Sequence, residues 1–476
     1  MTEDVSPISR IPETGESSAS LLRRLEVYAE RDRKRWSFGQ CSGSVYHGGV
    51  EHQRTLDRAF SLFSVSNPLH ADVWPSVAQF ERDVVAMTAD LLGGRENKDV
   101  VGCVTSGGTE SIFCSVKSHL FRAKHHRVGG RVEQRPFEIV CCTTKHAALD
   151  KACDILGIRL VETPPNPSTF EMDVGAVRAA ISDQTIMIFA SAPSYPQGII
   201  DPIEALGRLA VRRGVGLHVD ACLGGFYLPF LRTFKSVRLF DFAVPGVSSM
   251  SADCHKYGNA TKGTSVVLYC NDALRRWQYF AYPDWSGGMY VTPTLAGSKN
   301  GGLSAAAYAS MVSIGRSGYI QLTRQMDETV QIVLDAARNK CPGLEVLGTP
   351  TAMIVAVKSD VFNIYQWQKR VSKLGFSWSA CQNPRCVHLA VTNVHVGKGH
   401  DIARAMQRAC EVLSEQSVAN ASNAQDGPNI YGVASSSSET TKRRRRKKER
   451  RDLDASLRAY MSGVLGGAMA ELRSKI

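Results

Sequence analysis

Three short segments, far apart in the chain, contain residue types that one reaction would need together. The glycine turn 106–111 opens a predicted helix, so its backbone N–H groups can approach an anion such as a phosphate. Asp220 ends a predicted strand, where carboxylates of parallel sheets face the ligand crevice. Lys256 follows 36 residues later, on a turn before the predicted strand 264–269. Each segment alone also fits a structural role, because tight packing selects glycine, aspartate forms turns and lysine is usually solvated.

The combination is more specific than its parts. A pyridoxal phosphate enzyme needs a turn that binds the phosphate, a carboxylate that keeps the pyridine nitrogen protonated, and a lysine that forms a Schiff base. The glycine turn, Asp220 and Lys256 supply these groups in chain order. The sequence therefore predicts pyridoxal 5'-phosphate as the cofactor.

The elements that must position these groups alternate along the chain. From Asp99, short apolar segments typical of strands alternate with helical segments, which predicts right-handed crossovers and a mostly parallel sheet covered on both faces. The predicted fold class is thus α/β, with a smaller C-terminal α+β domain. The predicted divisions are a helical and loop segment (1–98), the large domain (99–302), a connecting helix (303–340), the small domain (341–417) and a flexible tail with a terminal helix (418–476).

Chain length, cysteine content and the length of apolar runs further limit the classes of protein to which this chain can belong. At 476 residues the chain is long enough for two or three domains. Its thirteen cysteines are an odd number at scattered, mostly apolar positions, which favours reduced core thiols over disulfides, and their spacing predicts no metal site. Because no apolar run approaches the ~20 residues that span a bilayer, we expect a soluble, cytoplasmic protein without a transmembrane helix.

The positive charge is concentrated in one place. The run 442–451 holds nine basic residues and one Glu, so it accounts for +8 of the net charge of +12 and leaves +4 for the rest of the chain. The run follows four serines and is typical of a solvated linker. A nuclear-import signal or a contact with an anionic membrane are alternatives. The near-neutral body argues against nucleic acid as a partner.

At the level of motifs the chain resembles the sphingosine-1-phosphate lyase family of fold-type I, group II decarboxylase-like enzymes. The resemblance covers about residues 36–432 and rests on these segments: SNPLH (66–70), TSGGTES (105–111), LHVDACLGGF (217–226), SADCHKYG (251–258) and AGSKNGG (296–302). Asn259 departs from the family pattern, which has an aromatic residue there, and the run 442–451 is foreign to it. The resemblance implies an obligate homodimer with active sites at the subunit interface, and a peripheral association with the endoplasmic reticulum membrane is an alternative to a purely cytoplasmic location.

The resemblance also implies roles for individual residues. Lys256 would be the Schiff-base lysine and Asp220 the partner of the pyridine nitrogen. The residues implied around the cofactor are Gly107, Gly108, Thr109, His146, which would stack on the ring, and His255. The residues implied for the substrate phosphate are Tyr46, Asn67 and His70, with Tyr195 and Lys262 as further substrate contacts and as candidates for the catalytic base.

The reaction implied is a retro-aldol cleavage of a phosphorylated long-chain sphingoid base between C2 and C3, giving a fatty aldehyde and phosphoethanolamine. A pyridoxal phosphate amino-acid decarboxylase is the nearer alternative, since it shares the fold, the strand-end aspartate and the His-Lys pair. A non-enzymatic, nucleic-acid-associated protein using the run 442–451 is the more distant one. The SNPLH segment and the segment 42–49 favour the lyase.

Overall fold

The computed structural model describes residues 9–37, 39, 41–94, 99–126 and 135–417. The basic run and the tail predicted for 418–476 lie outside the described residues. Three helices open the chain, joined by irregular segments. They are α1 (Ser18–Trp36), α2 (Val50–Phe63) and α3 (Pro75–Ala89).

A seven-stranded sheet follows, and helices connect its strands. Its strands are β1 (Val101–Thr105), β2 (Glu138–Cys142), β3 (Arg159–Thr163), β4 (Thr185–Ser191), β5 (Gly216–Asp220), β6 (Ser249–Ala252) and β7 (Ser265–Tyr269). The helices of this part are α4 (Gly108–His126), α5 (Ala148–Leu156), α6 (Val174–Ala180), α7 (Ile203–Arg213), α8 (Leu228–Leu231) and α9 (Asp272–Arg275).

The strand order is β1-β7-β6-β5-β4-β2-β3. Only β7 runs antiparallel to its neighbours, β1 and β6, while the remaining pairs are parallel. Strands buried on both faces explain the continuous apolar runs in the sequence, since helices cover a parallel sheet on each side. The predicted α/β, fold-type I class is confirmed, with β7 as the one antiparallel strand.

A two-stranded hairpin and a long helix lead to the C-terminal part. The hairpin is β8 (Phe280–Tyr282) with β9 (Tyr290–Thr292), and the helix is α10 (Gly301–Asp335). At Gly315 the backbone leaves the helical region, with φ 63° and ψ 171°. This φ lies where side chains are strained, so glycine allows the helix to break and resume in a new direction.

The C-terminal part is a four-stranded antiparallel sheet of order β10-β11-β13-β12 with two helices. Its elements are β10 (Glu345–Val346), β11 (Ile354–Lys358), α11 (Ile364–Lys373), β12 (Ser379–Cys381), β13 (Cys386–Ala390) and α12 (Gly399–Ser417). One continuous apolar cluster includes Val219 and Met250 of the first sheet and Val355 of the second. The exact domain limits given above stay a prediction.

All thirteen cysteines are free thiols, and eleven of them are buried, as expected of core residues. Across the part of the chain that the structure describes, no helix is both long and apolar enough to cross a bilayer.

Candidate active site

The site is built where three neighbouring parallel strands end. Ser191 of β4, Asp220 of β5 and Ser251 of β6 are register partners across the sheet. Asp220 is buried, and its Oδ1 atom accepts hydrogen bonds from the Cys222 N–H at 3.0 Å and from the Ser251 hydroxyl at 3.3 Å. These bonds fix the carboxylate at the carboxyl edge of the sheet, where α/β folds bind ligands.

Lys256 lies on the turn that leaves β6, as the sequence predicts. Its Nζ atom is 2.9 Å from Oδ2 of Asp253, three residues earlier. Burial alone would lower the pKa of Lys256, but the Asp253 carboxylate outweighs it and raises that pKa well above its usual value. Burial would raise the pKa of Asp253, yet the Lys256 ammonium and His255 bring it below its usual value. The two groups therefore form a buried ion pair at the site.

The glycine turn lies directly opposite this pair. It joins β1 to α4, and Glu110 fixes it by accepting hydrogen bonds from the Ser106 N–H at 2.7 Å and the Leu295 N–H at 2.9 Å. A Cβ atom on Gly108 would lie 2.6 Å from Cys222 Sγ and 2.9 Å from Asp253 Oδ1. Glycine is required at this position because a Cβ atom would collide with the Cys222 and Asp253 side chains.

His146 and Tyr195 form one wall of the site. The ring of His146 lies edge-on to that of Tyr195, with centroids 6.4 Å apart and planes at 84°. Its Nδ1 atom accepts a hydrogen bond from the Ala148 N–H at 3.1 Å, which places the proton of the neutral ring on Nε2. Burial lowers the pKa of His146 despite the opposing charge of Asp220, so the ring is neutral at physiological pH.

Lys262, Tyr46 and His255 form the opposite wall. The Nζ atom of Lys262 donates to the His255 carbonyl oxygen at 3.2 Å and lies 4.4 Å from the Tyr46 ring centroid. Burial and the nearby Lys256 charge lower the pKa of Lys262 to about 8, although solvent still reaches this side chain. His255 accepts the Thr264 N–H on Nδ1 at 3.2 Å, and burial lowers its pKa.

These groups line two adjoining cavities. The first contains the glycine turn, and its lining is Ser106, Gly107, Gly108, Thr109, Glu110, Ile112, His146, Asp220, Cys222, Asp253, His255 and Lys256. The second shares His146, Asp220, Cys222 and Lys256 with it and adds Gly43, Tyr46, Ser191, Pro193, Tyr195 and Leu223. Ten of the predicted site residues thus lie in or beside one cleft.

The chemistry of the cleft fits pyridoxal phosphate. Its lining combines an amine, a strand-end carboxylate and a neutral histidine with the glycine turn at the start of α4. The helix N-terminus is suited to a phosphate, and beside Gly107 a Cβ atom would meet only the His255 ring within 4 Å, at 3.4 Å. Among the described residues no group of three or more His, Cys, Asp or Glu side chains could hold a metal ion.

Comparisons with known proteins agree with this chemistry. The family model described as "Pyridoxal-dependent decarboxylase conserved domain" matches residues 65–354. The sphingosine-1-phosphate lyase of Dictyostelium discoideum is 40% identical over 428 residues, which are 90% of this chain and 78% of that protein. This chain belongs to the sphingosine-1-phosphate lyase family. The lyase of Arabidopsis thaliana is 44% identical over 79% of this chain and 69% of its own length, and the cofactor of the family is pyridoxal phosphate.

Solved structures place the fold in the same family. The sphingosine-1-phosphate lyase of Burkholderia pseudomallei superposes with a TM-score of 0.83 at 36% identity, covering 87% of this chain and 95% of that one. Glutamate decarboxylase of Lactobacillus brevis superposes with a TM-score of 0.73 at 18% identity, covering 86% and 96%. The second likeness shows only that the fold is shared.

Two residues predicted for the substrate lie apart from the cleft of this lyase-family chain. Asn67 donates to the Ser298 hydroxyl at 3.0 Å and accepts the Lys299 N–H at 3.2 Å. His70 is exposed, with its ring 6.3 Å from that of Trp74. Neither residue lines the cleft around Lys256. The structure thus brings Tyr46, Tyr195 and Lys262 to the cleft, whereas Asn67 lies against Ser298 and Lys299 and His70 lies beside Trp74.

Three residues of the site were missed in the sequence. Asp253 pairs with Lys256, Cys222 packs against the glycine turn, and Glu110 holds that turn to Leu295. Asp253 could have been found from its spacing, because residues i and i+3 on a turn face the same way. Nothing in the pattern marks Cys222 or Glu110, since their contacts depend on distant elements. Asn259, which departs from the family pattern, is buried with φ 55°, a conformation that asparagine tolerates.

Proposed function

We propose that this chain cleaves phosphorylated long-chain sphingoid bases between C2 and C3, producing a fatty aldehyde and phosphoethanolamine. Membership of the sphingosine-1-phosphate lyase family supports the reaction. The observation that carries the proposal is the cleft in which the Lys256 amine, the Asp220 carboxylate and the glycine turn meet. These groups come from three distant parts of the chain, and a structural explanation for any one of them does not account for their convergence.

In this proposal the cofactor is held by residues of the cleft. Lys256 would be its covalent anchor, Asp220 would pair with the pyridine nitrogen, and His146 would contact the ring. Gly107, Gly108 and Thr109 offer backbone N–H groups to the phosphate, with His255 beside them. When bound, pyridoxal phosphate supplies an electron sink for the electron pair released as a bond to C2 breaks.

The proton transfers fall to residues on the cleft walls. A base removes the proton of the C3 hydroxyl, the C2–C3 bond breaks, C3 leaves as the aldehyde, and C2 takes up a proton to give phosphoethanolamine. Tyr195 and Lys262 are the two candidates for the base. Lys262 suits the task because its lowered pKa, about 8, leaves part of the amine neutral near physiological pH. Tyr195 suits it by position, since it stands beside His146.

The substrate phosphate requires donors, since it carries two negative charges. Tyr46 lies within the cleft, whereas Asn67 and His70 lie outside it. We propose that a second copy of the chain brings its Asn67 and His70 to this cleft in a homodimer. The exposed apolar side chains of the β8–β9 hairpin support an interface there. Trp285 is 51% exposed and Met289 77%, which is unusual for residues of these types on a monomer's surface.

For the location we propose the cytoplasm with a peripheral contact at the endoplasmic reticulum membrane. The long-chain substrate partitions into bilayers, so an enzyme that meets it there gains access to its pool. On α1, Leu22 and Leu25 are 57% and 48% exposed next to Arg23 and Arg24, a pattern suited to an anionic lipid surface. Flotation with phosphatidylserine vesicles, in parallel with a Leu22→Ser/Leu25→Ser variant, tests this contact.

One assay separates this function from the decarboxylase alternative. Purified protein loaded with pyridoxal phosphate is incubated with sphingosine-1-phosphate and, separately, with glutamate and aromatic amino acids. We expect a long-chain aldehyde and phosphoethanolamine in equal amounts from the first, and no CO2 from the others. Release of CO2 from an amino acid, without cleavage of the sphingoid base, would show that the chain is a decarboxylase.

A further inference from the structure

Asp253 occupies a position that the proposed catalytic roles do not explain. It lies between the end of β6 and Lys256 and is 2% exposed. Its Oδ1 atom is buried without a hydrogen-bond partner. A buried carboxylate with an unmet acceptor destabilises a fold. Because this position is unfavourable for the fold, we take it that the charge serves the site.

The Oδ2 atom of Asp253 faces the cations of the site. It lies 2.9 Å from Lys256 Nζ and 3.6 Å from His255 Nε2. The Nδ1 atom of His255 accepts the Thr264 N–H, so the ring proton is on Nε2 and points to this carboxylate. The groups that face Lys256 besides Asp253 are Cys222, Tyr46, His146, Lys262 and Asp220. Asp253 is the group that forms an ion pair with Lys256 at hydrogen-bond distance.

Lys262 provides a contrast within the same cleft. Its Nζ atom binds a neutral carbonyl oxygen, that of His255, and not a carboxylate. The side chain of Lys256 keeps 23% exposure to the cleft, so a small reagent can reach both amines. Two lysines six residues apart thus differ chiefly in whether a buried carboxylate is within hydrogen-bond distance.

We propose that Asp253 is the positioning residue of Lys256, holding its free amine as an ammonium ion beside the glycine turn. This role rests on the proposed function of Lys256 as the covalent anchor. A lysine that alternates between a covalent bond and a free amine needs a counter-ion in the free state, because an unpaired ammonium at this depth is costly. Asp253 supplies that counter-ion, and cofactor attachment then requires Lys256 to lose a proton from this pair.

The first test compares the two amines in cofactor-free, full-length protein. Acetic anhydride labels neutral amines, and peptide mass spectrometry measures the rate at each lysine between about pH 7 and 9. At pH 8 we expect Lys262 to be labelled at least about tenfold faster than Lys256, because their pKa values are displaced in opposite directions. Equal rates at the two residues in the wild-type protein would overturn the proposal without any variant.

The second test removes the charge. In Asp253→Asn, Lys256 loses its counter-ion, so its labelling rate rises by at least about tenfold. Re-addition of pyridoxal phosphate, followed by visible absorbance, then forms the covalent complex at a lower pH than in the wild type. Asp253→Glu retains the charge and restores the wild-type pH profile. A pH profile of Asp253→Asn that coincides with the wild type contradicts the assignment.

A matched control uses a second buried carboxylate. Asp327 pairs with Lys235 at 2.5 Å, away from the cleft, and its side chain is 7% exposed. Asp327→Asn is expected to leave the Lys256 labelling rate unchanged, and thermal unfolding of each variant reports whether the fold is intact. Neither measurement uses a sphingoid base, so failure of the lyase proposal and failure of the Asp253 proposal give different results.

Discussion

The cleft around Lys256 and the loop that carries Asn67 and His70 are assembled in different ways. The residues that line the cleft meet within one chain, because strands β4, β5 and β6 end side by side and carry their polar residues to one edge. Asn67 is instead held by hydrogen bonds to Ser298 and Lys299, outside that cleft. The difference supports our proposal that the residues assigned to the cofactor, here called the cofactor half of the site, come from one chain. The half that recognises the substrate phosphate is the part we assign to two copies.

The largest effect is expected on the cofactor half. In Lys256→Ala the covalent anchor is lost, so the visible absorbance of bound pyridoxal phosphate disappears and turnover falls by more than about 10³-fold. Absorbance spectra and the aldehyde assay measure the two effects. Asn67→Ala is the comparison variant, since it should retain the spectrum. Turnover in Lys256→Ala above about a tenth of the wild-type rate is incompatible with the assignment.

A smaller effect is expected on the phosphate half. His70→Ala removes a donor to a dianion, so KM should rise about 10- to 100-fold while the cofactor spectrum stays unchanged. At a substrate concentration well below the KM of His70→Ala, co-expression of Lys256→Ala with His70→Ala should recover about a quarter of the wild-type activity, because half of the dimers are mixed and each of these has one intact site.

The control co-expresses two variants whose substitutions both lie in the cofactor half of the site. Lys256→Ala with Asp220→Asn should recover nothing, since each site of the mixed dimer lacks one of the two residues. Recovery of activity in the first pair of variants but not in the second would support a site that takes Lys256 from one subunit and His70 from the other. Equal results for the two pairs would mean that His70 acts within its own chain or not at all.

The pH dependence of turnover tests the protonation state of Lys262. With a pKa of about 8, Lys262 is protonated below that pH and neutral above it. A neutral amine is the form that accepts a proton, so kcat should rise as the pH passes through about 8. Lys262→Met should lower kcat and flatten this rise. If the rise persists in the variant, Tyr195 is the base.

The smallest effect is expected for the hydrogen bond that joins the turn after Lys256 to Val391. Tyr257 follows Lys256, is 2% exposed, and donates its hydroxyl hydrogen to the Val391 carbonyl oxygen at 2.7 Å. Tyr257→Phe should lower the free energy of unfolding by about 1 kcal/mol, because the buried acceptor loses its partner. Urea unfolding measures this change. A loss of cofactor absorbance in this variant would show that the second sheet also positions Lys256.

The sequence alone was sufficient to predict many of the residues that line the cleft. Strand-end residues such as Asp220 are predictable, because the alternation of strands and helices fixes the edge on which they meet. The antiparallel insertion of β7 between β1 and β6 was not, since strand order depends on pairing between distant segments. The contact between Asp253 and Lys256 likewise could not be predicted in full from the sequence. Its spacing from Lys256 is visible, but the burial that makes the pair strong depends on Cys222 and the glycine turn.

The break at Gly315 divides α10 into two helical segments that pack against different elements. Before it, Tyr308 stacks on Phe80 of α3, and after it Ile332 meets the start of α12 at Gly399. Each residue of an α-helix turns the next by about 100°, so one inserted residue in a continuous helix would rotate everything downstream. Because Gly315 interrupts the helix, the rotation of the first segment does not fix the rotation of the second. Substitutions on the face that packs on α3 are therefore not constrained by the face that packs on α12.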